Sequence, residues 1–115
     1  MFAEDLAATK QFYLDVFGLP VHYEDDVSCV FNFEGTLVNI LQATEAPELI
    51  APARVASPGK GARLQFTIDV DDVDEMCDRL MARGVTLLNG PMDRPWGIRT
   101  ACFVDPAGQI WEIAK

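Results

Sequence analysis

Hydrophobic and polar positions alternate along this chain with two different periods, and the switches between them outline its elements. From Asp5 to Phe17 the apolar residues Leu6, Phe12, Tyr13, Val16 and Phe17 fall close to one helical face. Asp5 is placed to cap that helix, and Gly18 followed by Pro20 ends it. Leu19–Glu24, Val27–Phe33 and Thr36–Gln42 then read as three strands, with Asp25-Asp26 and Glu34-Gly35 at the turns between them. Met1–Glu4 is too short to read alone.

The stretch Thr44–Gly61 loses periodicity and carries Pro47, Pro52, Pro58, Gly59 and Gly61, which predicts a connecting loop with at most one helical turn. Period two returns in Arg63–Val70: Leu64, Phe66, Ile68 and Val70 share one side, Arg63, Gln65, Thr67 and Asp69 the other. Val73, Met76, Cys77, Leu80 and Met81 give Asp72–Arg83 a second amphipathic helix, ended by Gly84. Val85–Leu88, Ile98–Val104 and Gln109–Ala114 follow as strands, with Asp105-Pro106-Ala107-Gly108 as a turn.

The two halves match. Asp5 to Gly18 parallels Asp72 to Gly84, and the Phe33–Gly35 turn before Asn39 parallels the Phe103–Gly108 turn before Glu112, at an offset of about 70 residues. The expected architecture is therefore α+β, a duplicated βαβββ unit. The first module covers about 1–43, a linker 44–61, and the second module 62–115.

Composition narrows the possible functions. The 115 residues suffice for one domain, and half of them are hydrophobic, which argues against disorder. A net charge of −9 disfavours nucleic-acid binding, since a phosphate backbone calls for a basic face. No apolar run is long enough to span a membrane, and no basic segment followed by an apolar stretch marks a signal peptide. Cys29, Cys77 and Cys102 are unpaired by spacing and sit in apolar segments, as expected of buried, reduced thiols. The expected location is cytoplasmic.

Glu4-Asp5-Leu6 through Phe12-Tyr13 and Phe17-Gly18-Leu19, Val70-Asp71-Asp72-Val73-Asp74 with Arg83-Gly84-Val85, Pro95-Trp96-Gly97-Ile98-Arg99, and Asp105-Pro106-Ala107-Gly108-Gln109-Ile110-Trp111-Glu112 occur in order at module spacing. Together they resemble the vicinal oxygen chelate superfamily of glyoxalases, extradiol dioxygenases and bleomycin-resistance proteins, over nearly the whole chain apart from Thr44–Lys60. The resemblance implies curved mixed sheets forming a cup, with helices on the convex side and a small molecule on the concave side.

Metal-using relatives take ligands, mostly His and Glu, from cup-facing positions on the first and last strands of each module. Carried over, the last-strand positions are Asn39 and Glu112, the first-strand position of the second module is Gln65, and that of the first module falls before Met1. One carboxylate and two amides make a poor divalent-metal set, and the single histidine, His22, lies elsewhere. No resident cofactor is therefore expected, although a divalent metal at Glu112 and Gln65, completed by water and a second chain, stays open.

For Glu112 three roles stand side by side: an internal pair with Arg99 or Arg63, a counter-ion for a cationic ligand, or a general base. Asn39 and Gln65 satisfy either the sheet or a ligand. Trp96, in a turn between Pro95 and Gly97, can cover the mouth of the cup and stack on planar or cationic groups. The expected ligand contacts are thus Asn39, Gln65, Trp96, Arg99 and Glu112. The leading expectation is a metal-free small-molecule-binding protein of the bleomycin-resistance type that sequesters a planar or cationic ligand in the cup. A metal-dependent glyoxalase-like or dioxygenase enzyme using Glu112, and an interaction module without a small ligand, are the rivals. A homodimer is expected because a short first strand leaves sheet edges to cover.

Overall fold

A computed structural model describes residues 1–62 and 64–115. The chain divides into two compact units, Met1–Lys60 and Gly61–Lys115. Each holds a four-stranded mixed sheet with a helix on one side.

The first unit runs β1 (Phe2–Ala3), α1 (Leu6–Phe17), β2 (Val21–Glu24), β3 (Ser28–Phe33) and β4 (Thr36–Gln42). Its sheet order is β1-β4-β3-β2, with β1 parallel to β4 and the other pairs antiparallel. Asp5 caps α1 as its spacing predicts, accepting the Ala8 N–H at 2.9 Å, and Gly18 closes the helix at φ 64°. Register places Cys29, Phe31, Phe33, Val38 and Ile40 on one side of the sheet. The Tyr13 ring of α1 lies 5.4 Å from Phe31 and 5.2 Å from Phe17, and Phe17 lies 5.1 Å from Phe33. Tyr13, Phe31 and Ile40 are fully buried, so this side is the core of the unit. The opposite side carries Tyr23, Val30, Leu37, Asn39 and Leu41.

The proline-rich stretch after β4 holds one 3-10 turn, Ala43–Glu45, and a single-turn helix, α2 (Pro47–Ile50). Pro47 opens α2 at a position where the missing N–H costs nothing.

The second unit runs β5 (Gln65–Asp69), α3 (Val73–Ala82), β6 (Leu87–Asp93), β7 (Arg99–Val104) and β8 (Ile110–Ala114). Its order, β5-β8-β7-β6 with β5 parallel to β8, repeats that of the first sheet. In both sheets the order leaves the outer strands unpaired with each other, so the sheets are open. Asp72 caps α3 through the Glu75 N–H at 3.0 Å, and Val73, Cys77 and Leu80 form its buried face. The turn before β8 is held by Asp105, which is 4% exposed and accepts the N–H groups of Ala107 and Gln109 at 2.9 and 2.8 Å.

One strand departs from expectation. β6 reaches Asp93, whereas the sequence predicts an end at Leu88. Gly90 and Pro91 read as breakers, yet here they form a bulge, with register shifts on both sides of Asn89. At Gly90 φ is 83°, and a Cβ would stand 2.5 Å from the Thr100 carbonyl oxygen and 2.7 Å from the Ala101 Cα. Only glycine lets β6 lie this close to β7.

Candidate functional site

Period two divides the second sheet into two chemically different sides. Phe66, Ile68, Ala101, Phe103, Trp111 and Ile113 share the helix side, where Phe103 and Ile113 are fully buried and Phe66 stacks at 5.1 Å on Trp111. The other side carries no helix. Gln65, Thr67, Ile110, Glu112, Thr100, Cys102, Asn89 and Met92 meet there in register.

A line of polar contacts crosses this open side from β5 to β6. Thr67 donates its hydroxyl to Glu112 Oε1 at 3.0 Å across the β5–β8 pair. The Cys102 thiol lies 3.9 Å from both Glu112 Oε2 and Gln65 Oε1. Asn89 stands opposite Cys102 in register, and its Oδ1 accepts from Arg94 Nη2 at 2.8 Å. Arg94 Nε donates to Thr100 Oγ1 at 2.7 Å, and its guanidinium stands 5.8 Å from the centroid of the Trp96 ring. Burial pushes the Cys102 thiol above its ordinary range. The Glu112 carboxylate adds to that rise, and the Arg94 guanidinium opposes it. Cys102 is thus a protonated, inert thiol at neutral pH.

The sequence-predicted residues distribute unevenly over this geometry. Gln65 and Glu112 do come together, through Cys102. Trp96 joins through Arg94 and is 68% exposed in the β6–β7 connection. Asn39 belongs to the first unit and is exposed on the helix-free side of β4.

Arg99 requires a correction. It shares the helix side with Ala101 and Phe103, and its Nε and Nη2 grip Asp74 of α3 at 2.8 Å each while Nη1 reaches Asp93 at 3.0 Å. It therefore does not partner Glu112, and it takes no place among the open-side residues. The other expected partner, Arg63, lies outside the described residues. Glu112 itself has Thr67 and Cys102 across the sheet on either side, and Ile110 and Ala114 share its face of β8.

Arg94, Asn89 and Cys102 were not singled out by sequence reasoning, whereas Thr67 was already placed beside Gln65 on the ligand side of its strand. Parity held the signal for Cys102, since it shares a side with Glu112. Asn89 and Arg94 were hidden by the bulge at Gly90.

Metal-dependent relatives imply a divalent ion, and the donors here do not fit one. Among the described residues no three His, Cys, Asp or Glu side chains gather as a metal site would need. The helix-free side of the second sheet offers the carboxylates of Glu112 and Asp69, the amides of Gln65 and Asn89, and a thiol that keeps its proton, without an imidazole among them. His22 is exposed on β2.

Two duplicated βαβββ units, each an open mixed sheet with one helix-packed side, define a vicinal oxygen chelate fold. The chain belongs to the Glyoxalase/Bleomycin resistance protein/Dioxygenase superfamily, whose family model matches residues 1–113. It is 29% identical over 119 residues to the uncharacterized protein YraH of Bacillus subtilis (strain 168), covering 100% of this chain and 93% of that one. Among solved structures it is similar to a lactoylglutathione lyase from Agrobacterium tumefaciens, with TM-score 0.78, 27% identity, and 99% and 87% of the two chains covered. It is also similar to a glyoxalase-related enzyme from Fulvimarina pelagi, with TM-score 0.85, 25% identity, and 99% and 84% covered. No helix among the described residues is long and apolar enough to cross a membrane.

Proposed function

We propose that this chain is a metal-free small-molecule-binding protein of the bleomycin-resistance type, holding a planar ligand against the open side of the β5–β8 sheet. The observation that carries this reading is the polar line Thr67–Glu112–Cys102–Asn89–Arg94, linked by hydrogen bonds and, between Cys102 and Asn89, by register, on the side of the sheet away from the helix of its own unit. Half-buried Ile110 and Met92 flank it with apolar surface. Such a mixture of apolar wall and a few fixed polar groups is what an orienting ligand site needs. Glu112 and Gln65 supply acceptors for a donor or cationic group on the ligand, and Trp96 supplies a stacking surface.

The test is thermal shift of the purified chain. One panel holds planar organic compounds in cationic, neutral and anionic forms, and the other holds Ni²⁺, Zn²⁺, Mn²⁺ and Fe²⁺. A ligand selective for the native state raises the melting temperature, and the organic panel is expected to do so. Stoichiometric metal in the purified protein, with a metal-induced shift abolished by Glu112→Ala, would replace this reading with that of a metal-dependent enzyme.

A homodimer is part of the proposal. The two sheets are open, and their outer strands β2 and β6 each have one neighbour in the sheet, which leaves edges for a second copy to cover. Sedimentation is expected to give a dimer at micromolar concentration, and a monomer there would remove this part.

A further inference from the structure

We infer that Arg94 and Trp96 form the recognition pair for a carboxylate carried on a planar ring, which rests on the binding function proposed above and names its ligand class. Arg94 is half-buried, yet among the described residues it makes no ion pair. The two groups that hold it, Thr100 Oγ1 on Nε and Asn89 Oδ1 on Nη2, are both neutral. Its charge is positioned without being neutralised.

The contrast with the other guanidinium nearby is direct. Arg99 spends Nε, Nη1 and Nη2 on Asp74 and Asp93, whereas Arg94 keeps Nη1 and the second hydrogen of Nη2 without an acceptor among the described residues. Those two nitrogens form one edge of the guanidinium fork, the edge that takes both oxygens of a carboxylate. Thr100 is fully buried and Asn89 is fixed in the bulge beside Gly90, so the fork is held in place before any ligand arrives.

Trp96 adds the second half of the specificity. Its ring has Arg94 5.8 Å from its centroid and is 68% exposed, leaving surface for a planar partner. A cation of the protein already occupies the cation–π position on this ring, so the ligand contributes its own ring rather than its own charge there. The net charge of −9 repels anions at long range, and capture therefore depends on this local contact.

The experiment uses one ring in three charge states: 1-naphthoate, 1-naphthamide and 1-naphthylmethylamine, with inorganic phosphate as a fourth probe. Affinities are read by calorimetry and thermal shift on the full chain. Naphthoate is expected to bind more tightly than the amide, with Arg94→Gln weakening naphthoate roughly ten- to hundredfold and the amide far less, so that the preference for naphthoate is lost. Arg94→Lys is expected to fall between, because it keeps charge and loses the fork. Trp96→Ala, at an exposed position that does not threaten folding, is expected to weaken both ring compounds. Binding of the amide or amine without preference for naphthoate, or naphthoate binding indifferent to Arg94→Gln, overturns this inference and leaves the binding function standing. Phosphate protecting as well as naphthoate overturns the carboxylate assignment. The absence of a shift with every probe overturns this inference, and the binding function is then decided by the wider organic panel.

Discussion

Arg99 grips both carboxylate oxygens of Asp74 at 2.8 Å, so the start of β7 is tied to the first turn of α3 across the helix side of the second sheet. The hydrogen bonds to Arg99 hold the Asp74 carboxyl below the usual carboxylate range. A depressed folded-state pKa contributes stability that is fully present above the unfolded value and is lost as pH falls through the folded one. The melting temperatures of the wild type and of Asp74→Asn are therefore expected to differ at neutral pH and to converge as pH drops below about 4. A difference that persists unchanged at acidic pH would contradict this role for the pair.

Gly90 is expected to tolerate no side chain. In Gly90→Ala the new Cβ meets the Thr100 carbonyl 2.5 Å away and must also adopt φ 83°. Chemical denaturation is expected to show a loss of about 2–4 kcal/mol, the sum of overpacking and left-handed strain. Gly35→Ala is the control, because φ is 99° there but nothing lies within 4 Å. That variant is expected to lose only about 1–2 kcal/mol.

Phe31 is fully buried beneath α1, beside Tyr13. Phe31→Ala is expected to cost about 3–5 kcal/mol by urea denaturation, combining lost burial with the cavity left behind. A cost below about 1 kcal/mol would mean the α1 side of β3 is not the core of its unit.

The three cysteines are free and buried, and burial is the first cause that raises each thiol pKa. Native protein at neutral pH is expected to react with a thiol reagent far more slowly than protein in guanidinium, where all three become accessible. Glu112→Gln removes one of the causes that raise Cys102 but leaves its burial, so it is expected to speed that thiol only slightly.

Much of this architecture was legible in period alone. Both long helices, their aspartate caps at Asp5 and Asp72, and the alternation of Gln65 and Thr67 against Phe66 and Ile68 follow from side-chain spacing. The far half of β6 was not legible, because Gly90 and Pro91 have the composition of a loop and only the close approach of β7 makes them a bulge. The candidate site suffered from the same gap. Asn89 and Arg94 flank that bulge, so their arrival on the open side depends on a register that composition does not encode. Arg99 was a different kind of miss: its shared parity with the apolar Ala101 and Phe103 already argued for the helix side, and an expected charge partner for Glu112 outweighed it.

The alternation of β5, β7 and β8 has a consequence for how such a chain diversifies. Every second residue packs on the helix of its unit and the intervening ones face away from it, so neighbouring letters of one segment carry separate duties. Changes at 65, 67 and 112 can alter the helix-free face while Phe66, Phe103, Trp111 and Ile113 continue to hold the scaffold. Homologues can thus share this backbone closely and still differ in their chemistry.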